Sequence, residues 1–327
     1  MQSSGNQTVS TLYVTNRGRD VDAAGNVTYN GQRGRLQYGT CLVEFTPIPF
    51  AQNLVSNAPF YLPKETNRTA VFEAADKTVF WADLVAKTRL TGVGSVVLFI
   101  HGYNYGFSRS CRMAAELQRV LGETATVVMA SWPSNGRPTD YLRDQVDLEW
   151  SVPFLADLIG EVVARVGSDH SQVLAHSMGS RGALFALQRL VTDLEMRPLI
   201  RRLTLLAPDF DTDTFVELLP RLAPVVGAVA LYASSKDTAL ATSRRINGHP
   251  RLGEAGDYLT VVEGVETIDV SSSGRYQIFG HEYFYYNPWV AADLAELLGE
   301  NTPATARRSL RARQRDGLSY WEINRED

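Results

Sequence analysis

Three residue types able to run acyl transfer occur in a suggestive order along the 327-residue chain. They are Ser177 in Ala175-His176-Ser177-Met178-Gly179, Asp237 in Ser234-Ser235-Lys236-Asp237, and His281 in Gly280-His281. A serine hydroxyl attacks a carbonyl only when a base takes its proton. The base in turn needs an acid that fixes its tautomer and balances its charge. The pentapeptide around Ser177 reads as a sharp strand-to-helix corner, with small residues two before and two after the serine so that strand and helix can approach. Ala175 stands where glycine is usual, one extra methyl that a backbone without positive φ accepts. Alone, the pentapeptide reads equally well as a buried serine making a local hydrogen bond in a βα turn. The order Ser, Asp, His, each after an apolar run, favours the chemical reading.

The base has few rivals among the five histidines. His170 precedes the strand at the wrong end, His176 alternates away from the nucleophile, His249 sits in an irregular loop, and His101 belongs to another element. The acid is contested by Asp209 and Asp211, which also follow a strand in Ala207-Pro208-Asp209-Phe210-Asp211-Thr212-Asp213, with Asp209 the alternative. Asp237 could also merely cap the helix after it. The Asp209, Asp211, Asp213 alternation is not a calcium loop, because its sixth position is Thr214 rather than glycine and its twelfth is Pro220 rather than glutamate. Charge on a tetrahedral intermediate calls for two backbone N–H donors. Met178, next to the serine, is one candidate; Tyr103 in His101-Gly102-Tyr103-Asn104-Tyr105-Gly106 is the other. His101, Asn104, Tyr105 and Trp132 are candidates to line a substrate pocket, and the aromatic ones read equally well as core.

These residues must be held by a parallel sheet. From Gly94 apolar runs alternate with helical spacing: Ser95 to Ile100, Thr126 to Ala130, Val173 to Ala175, Arg202 to Ala207, Ala228 to Ala233 and Val265 to Val270. Phe154, Leu155, Leu158, Ile159, Val162, Val163 and Val166 mark one face of a long helix before the serine. Residues 1–90 read as a β-rich N-terminal extension joining the sheet edge, with Thr11 to Thr15 and Leu42 to Phe45 as strands and Gly18 to Gly34 as a loop or long hairpin connection. The catalytic core spans 91–300. Residues 301–327 form a tail with Arg307, Arg308, Arg311, Arg313 and Arg315, expected as a solvated helix face or frayed end.

A net charge of -4 argues against nucleic-acid binding, which requires a basic surface. Cys41 and Cys111 are too few for a disulfide framework or zinc knuckle and are expected as free or buried thiols. The polar start lacks the apolar core of a signal peptide and no stretch suits a membrane span, which points to a cytoplasmic protein; a secreted form with its leader removed would read the same. The oligomeric state is not legible.

The chain resembles a bacterial family of α/β-hydrolases long known only as a domain of unknown function. The resemblance runs from about Leu12 to Leu298. It rests on Tyr13-Val14-Thr15-Asn16-Arg17, His101-Gly102-Tyr103-Asn104, Ser131-Trp132-Pro133-Ser134 with Tyr141 and Asp144, the Ser177 pentapeptide, Ala207-Pro208-Asp209, Ser234 to Asp237 with Ala239-Leu240, and Gly280-His281. It implies an α/β-hydrolase fold, a mostly parallel central sheet flanked by helices, and a serine hydrolase using Ser177, Asp237 and His281. The expectation is a carboxylesterase acting on small-molecule esters of short to medium acyl length, with no metal or organic cofactor. Thioesterase, lipase, peptidase, acyltransferase and non-catalytic binding protein stand as alternatives.

Overall fold

The computed structural model describes residues 6–21, 25, 27–47, 65–90, 95–193, 199–273 and 280–323. At its centre, β4 (Ser95–Ile100), β5 (Ala125–Ser131) and β6 (Ser171–His176) are buried at every position. Successive side chains leave a strand on opposite faces. Val96, Leu98 and Ile100 therefore enter one core while Val97 and Phe99 enter the other, which is why these runs show no polar alternation.

The remaining strands are β1 (Gln7–Val21), β2 (Val27–Pro47), β3 (Glu65–Ala75), β7 (Arg202–Leu206), β8 (Val229–Ala233), β9 (Val265–Asp269), β10 (Leu310–Arg315) and β11 (Leu318–Ile323). Across the sheet the order is β10-β11-β9-β8-β7-β6-β4-β5-β1-β2-β3. Pairing is parallel from β1 through β9 to β11, while β2, β3 and β10 run antiparallel to their neighbours. Helices α1 (Lys77–Leu90), α2 (Phe107–Leu121), α3 (Tyr141–Val166), α4 (Gly179–Asp193), α5 (Thr212–Leu222), α6 (Thr238–Asn247), α7 (Tyr283–Tyr286) and α8 (Pro288–Leu294) complete the layers. Phe80 and Leu84 of α1, Leu155 and Ile159 of α3, Leu184 of α4 and Phe215 of α5 fill one core. Met113 and Leu117 of α2 with Val290 and Leu294 of α8 fill the other.

The N-terminal strands do form an edge, and they reach further than a loop would. β1 pairs with β5 only from Leu12↔Val128 to Thr15↔Ser131. Beyond Thr15 the β1–β2 hairpin overshoots the parallel strands, keeping its pairing through Arg17↔Arg33 to Val21↔Val27. Much of the Gly18 to Gly34 stretch is thus strand, projecting past the C-terminal ends of β4 to β6.

Two expectations are corrected. Cys41 on β2 and Cys111 on α2 are not free thiols: they form a disulfide with Cα atoms 6.1 Å apart. A sequence separation of 70 concealed the pair, since only the packing of β2 on α2 brings them together. The arginine-rich tail is not helical but the hairpin β10–β11, docked through β11 on β9. Its turn residues Asp316 and Gly317 both take positive φ, 50° and 80°, the twist a two-residue hairpin favours. Among the described residues no helix is long and apolar enough to cross a membrane.

Candidate active site

β6 ends at His176, α4 begins at Gly179, and Ser177 turns the corner with φ at 54°. Its N–H donates to the Leu206 carbonyl at 2.9 Å, and its own carbonyl accepts from Asp209 N at 3.1 Å and Ser180 N at 3.0 Å. Crowding fixes the glycines around it. A Cβ on Gly179 would stand 2.4 Å from the His101 carbonyl oxygen, and one on Gly102 would stand 2.8 Å from Ser177 Cβ. Asn104, Ser177 and Ala207, in the segments after β4, β6 and β7, all hold positive φ despite carrying side chains. Strained backbone is thereby concentrated at one end of the sheet, as is common where a site is held ready.

His281 reaches Ser177 from the loop beyond β9. Its Nε2 lies 2.8 Å from Ser177 Oγ and its Nδ1 lies 2.7 Å from Asp237 Oδ2. Asp237 also caps α6, since its Oδ1 accepts from Leu240 N at 3.0 Å. Capping and contact with the histidine are thus done by different oxygens of one carboxylate. Gly280 lets the loop close: its φ is 61°, and a Cβ there would stand 2.5 Å from the Lys236 carbonyl oxygen. Burial of His281 opposes protonation, but the charge and hydrogen bond of Asp237, with the charges of Glu282 and Asp209, raise the imidazole above its ordinary value.

His176 lies beside this pair rather than remote from it. Its ring centroid is 4.9 Å from that of His281, and its Nε2 is 3.2 Å from the His281 carbonyl oxygen. Full burial, with the neighbouring His281, holds His176 well below its ordinary pKa. The neutral ring then donates Nε2–H to that carbonyl and supports the loop. The alternative acid, Asp209, is occupied elsewhere: Oδ1 accepts from Arg251 Nε at 2.8 Å and Ser243 Oγ at 2.6 Å, and Oδ2 from the Tyr141 hydroxyl at 2.8 Å. Burial and the Asp209 charge push that tyrosine up to about 12.

The candidate N–H donors are Tyr103, which follows Gly102 in the loop after β4, and Met178, between Ser177 and the start of α4 at Gly179. Among the described residues, neither amide N–H donates to a protein acceptor. The pocket-lining residues separate into two groups. His101 and Trp132 are fully enclosed and Tyr105 nearly so; the rings stack, with His101 5.0 Å from Trp132 and 5.8 Å from Tyr105. Trp132 Nε1 donates to the His101 carbonyl at 2.8 Å. Buried and stacked on one another, these three pack against the loop after β4 and line no open pocket. Asn104 stays partly exposed, with its N–H on Asp144 Oδ2 at 3.1 Å. Residues that reasoning from sequence passed over are Arg17, Arg109 and Glu282. Arg109 Nη2 pairs with Glu282 Oε1 at 2.5 Å and its Nη1 with the Asn104 carbonyl at 3.3 Å, tying the loop after β4 to the residue beside His281. Only their membership in quoted motifs, or adjacency to them, could have singled them out. Among the described residues no group of three or more His, Cys, Asp or Glu side chains is set to hold a metal.

Comparison with known proteins identifies the family. Residues 73–300 match the family described as alpha/beta hydrolase of unknown function (DUF900). The uncharacterized protein alr1448 of Nostoc sp. strain PCC 7120 is 26% identical over 205 residues, covering 55% of this chain and 51% of that protein. The chain thus spans about half the length of the curated relative it matches. Among solved structures, lipase B of Aspergillus fumigatus is similar at 14% identity and TM-score 0.40, over 64% of this chain and 53% of that one. EstE1, a thermostable carboxylesterase cloned from a metagenomic library, is similar at 11% identity and TM-score 0.37, over 90% and 87%. The match of residues 73–300 settles membership: this chain belongs to the DUF900 family of α/β hydrolases.

Proposed function

We propose that the protein is a serine carboxylesterase acting on short to medium acyl esters through an acyl-enzyme on Ser177. The observation that carries this reading is the unbroken hydrogen-bond chain from Ser177 Oγ through His281 to Asp237. In the first step His281 Nε2 takes the serine proton as Oγ bonds to the ester carbonyl carbon, and the carbonyl oxygen becomes an oxyanion. Met178 and Tyr103 N–H receive that charge, each such donor being worth roughly 3 kcal/mol. The carbon–alkoxy bond then breaks, and the leaving oxygen takes the proton from His281. Water repeats the sequence on the acyl-enzyme and releases the acid and free Ser177. Asp237 orients His281 and balances its transient charge, while Asp209, its carboxylate held by Arg251, Ser243 and Tyr141, supports the Ser177 corner through its N–H. No step calls for a metal or organic cofactor. The acyl-length preference follows from the sequence between the strands, which holds no long apolar lid.

The test is hydrolysis of p-nitrophenyl esters, acetate through long-chain, by the wild type and Ser177→Ala in parallel. The expected result is turnover favouring short chains, and a loss of about 10⁴-fold or more in the variant. Turnover confined to thioesters, peptides or acyl transfer would move the assignment to another use of the same serine. No turnover of any acyl donor would favour a binding protein that retains the fold.

A further inference from the structure

The N-terminal extension delivers one side chain into the turns that follow β4 and β5. Arg17, on the overshooting part of β1, lies outside the family-matched residues 73–300 and is 1% exposed. Its Nε donates to Ser131 Oγ at 2.8 Å, Nη1 to the Ser134 carbonyl at 2.7 Å, and Nη2 to the Tyr105 carbonyl at 2.6 Å and His101 Nε2 at 3.2 Å. Every one of these acceptors belongs to the end of β5 or to the segments that follow β4 and β5. Because His101 Nε2 accepts, its proton sits on Nδ1 and is donated to the Gly102 carbonyl at 2.9 Å.

A second centre completes the arrangement from the other side. Asp144 of α3 accepts from Asn104 N at 3.1 Å, Asn135 N at 2.8 Å and Ser134 Oγ at 2.5 Å, while Ser134 Oγ also receives Tyr105 N at 3.0 Å. Arg17 and Asp144 therefore attract each other through the loops they hold, with no carboxylate touching the guanidinium among the described residues. Burial lowers Arg17 to about 9, against the pull of Asp144. A buried cation without a direct counter-ion is a poor device for stability alone, since a packed apolar side chain serves that end at less cost. The segment fixed between the two, from His101 to Tyr105, contains Tyr103 and the positive-φ Asn104.

We propose that Arg17 and Asp144 are positioning residues for the oxyanion hole, holding the Tyr103 N–H on its aim at the substrate carbonyl, so that the N-terminal extension is part of the esterase machinery. This rests on the reading of Ser177 as nucleophile. The test measures wild type, Arg17→Lys and Asp144→Asn, with active sites titrated by a fluorophosphonate so that unfolded protein is not counted. Per active site, kcat should fall about 10²-fold in each variant, as for loss of one oxyanion donor, with KM within about threefold. Affinity for an alkylboronic acid, which forms a tetrahedral adduct on serine, should weaken in parallel. Unchanged kcat and boronate affinity per active site in an active pair of proteins would overturn the proposal, even where thermal stability falls. Should Arg17→Lys not fold, Asp144→Asn carries the same two readouts. An inactive, unlabelled wild type would instead overturn the serine-hydrolase reading and this inference with it.

Discussion

Each end of the chain adds strands to one edge of the parallel sheet, and each sends one fully buried arginine inward. At the C-terminal edge, Arg307 precedes β10 and meets carboxylates directly: Nη1 lies 2.9 Å from Asp293 Oδ2 and Nη2 lies 3.2 Å from Glu266 Oε2. Burial opposes its charge, yet Tyr232, Asp293 and Glu266 together raise its pKa. At the N-terminal edge, Arg17 meets, among the described residues, hydroxyl, carbonyl and imidazole acceptors only, and burial lowers its pKa. A buried cation paired with its own carboxylate is a clamp between elements. Arg17, whose donors go to the end of β5 and to the segments after β4 and β5, is proposed above to set the shape of those segments.

The largest expected effect on this contrast is at Arg307. Arg307→Met leaves Asp293 buried with only Tyr232 and Ser309 as partners, and should lower unfolding free energy by about 3–5 kcal/mol in urea titration. Its kcat per active site should match the wild type; a loss there comparable to Arg17→Lys would erase the contrast. Next is the disulfide that ties β2 to α2. Replacing Cys41 and Cys111 together by serine should cost roughly 2–4 kcal/mol, read by the same titration. A stability unchanged by the double replacement would show that the N-terminal edge is held by packing alone.

The third effect is at His281, near the segment that Arg17 fixes. Its raised pKa means that the neutral base predominates only above a value higher than 6.5, so activity should climb about tenfold per pH unit toward that value and then level off. The stability linkage has the opposite sign. A group raised on folding stabilises fully below its unfolded pKa near 6.5, and that contribution is lost as pH rises through the folded value. Activity and this part of stability should therefore cross in the same window. A limiting pKa below 6.5 in kcat/KM would show that Asp237 does not govern His281.

The central sheet and the order Ser177, Asp237, His281 were legible in the sequence because both depend on local signals: buried apolar runs and the residues directly after them. Asp237 caps α6 with one oxygen and meets His281 with the other, so the cap and the contact with the histidine coexist on one carboxylate. His101 and Trp132 were misplaced because a residue after a strand end can face the site or the sheet beneath it, and periodicity says nothing past the last strand residue. The tail was misread by weighing its arginines as a solvated helix face, although Asp316-Gly317 between alternating residues signals a hairpin. Arg17 and the Cys41–Cys111 bridge were out of reach, because each depends on which distant elements pack together.

The most direct test of the account is fluorophosphonate labelling of the wild-type protein, with the modified residue located by peptide mass spectrometry. A single phosphonyl adduct on Ser177, absent in Ser177→Ala and formed far more slowly in Asp237→Asn, is the predicted result. Labelling at another residue, or none at all in folded protein, would contradict it.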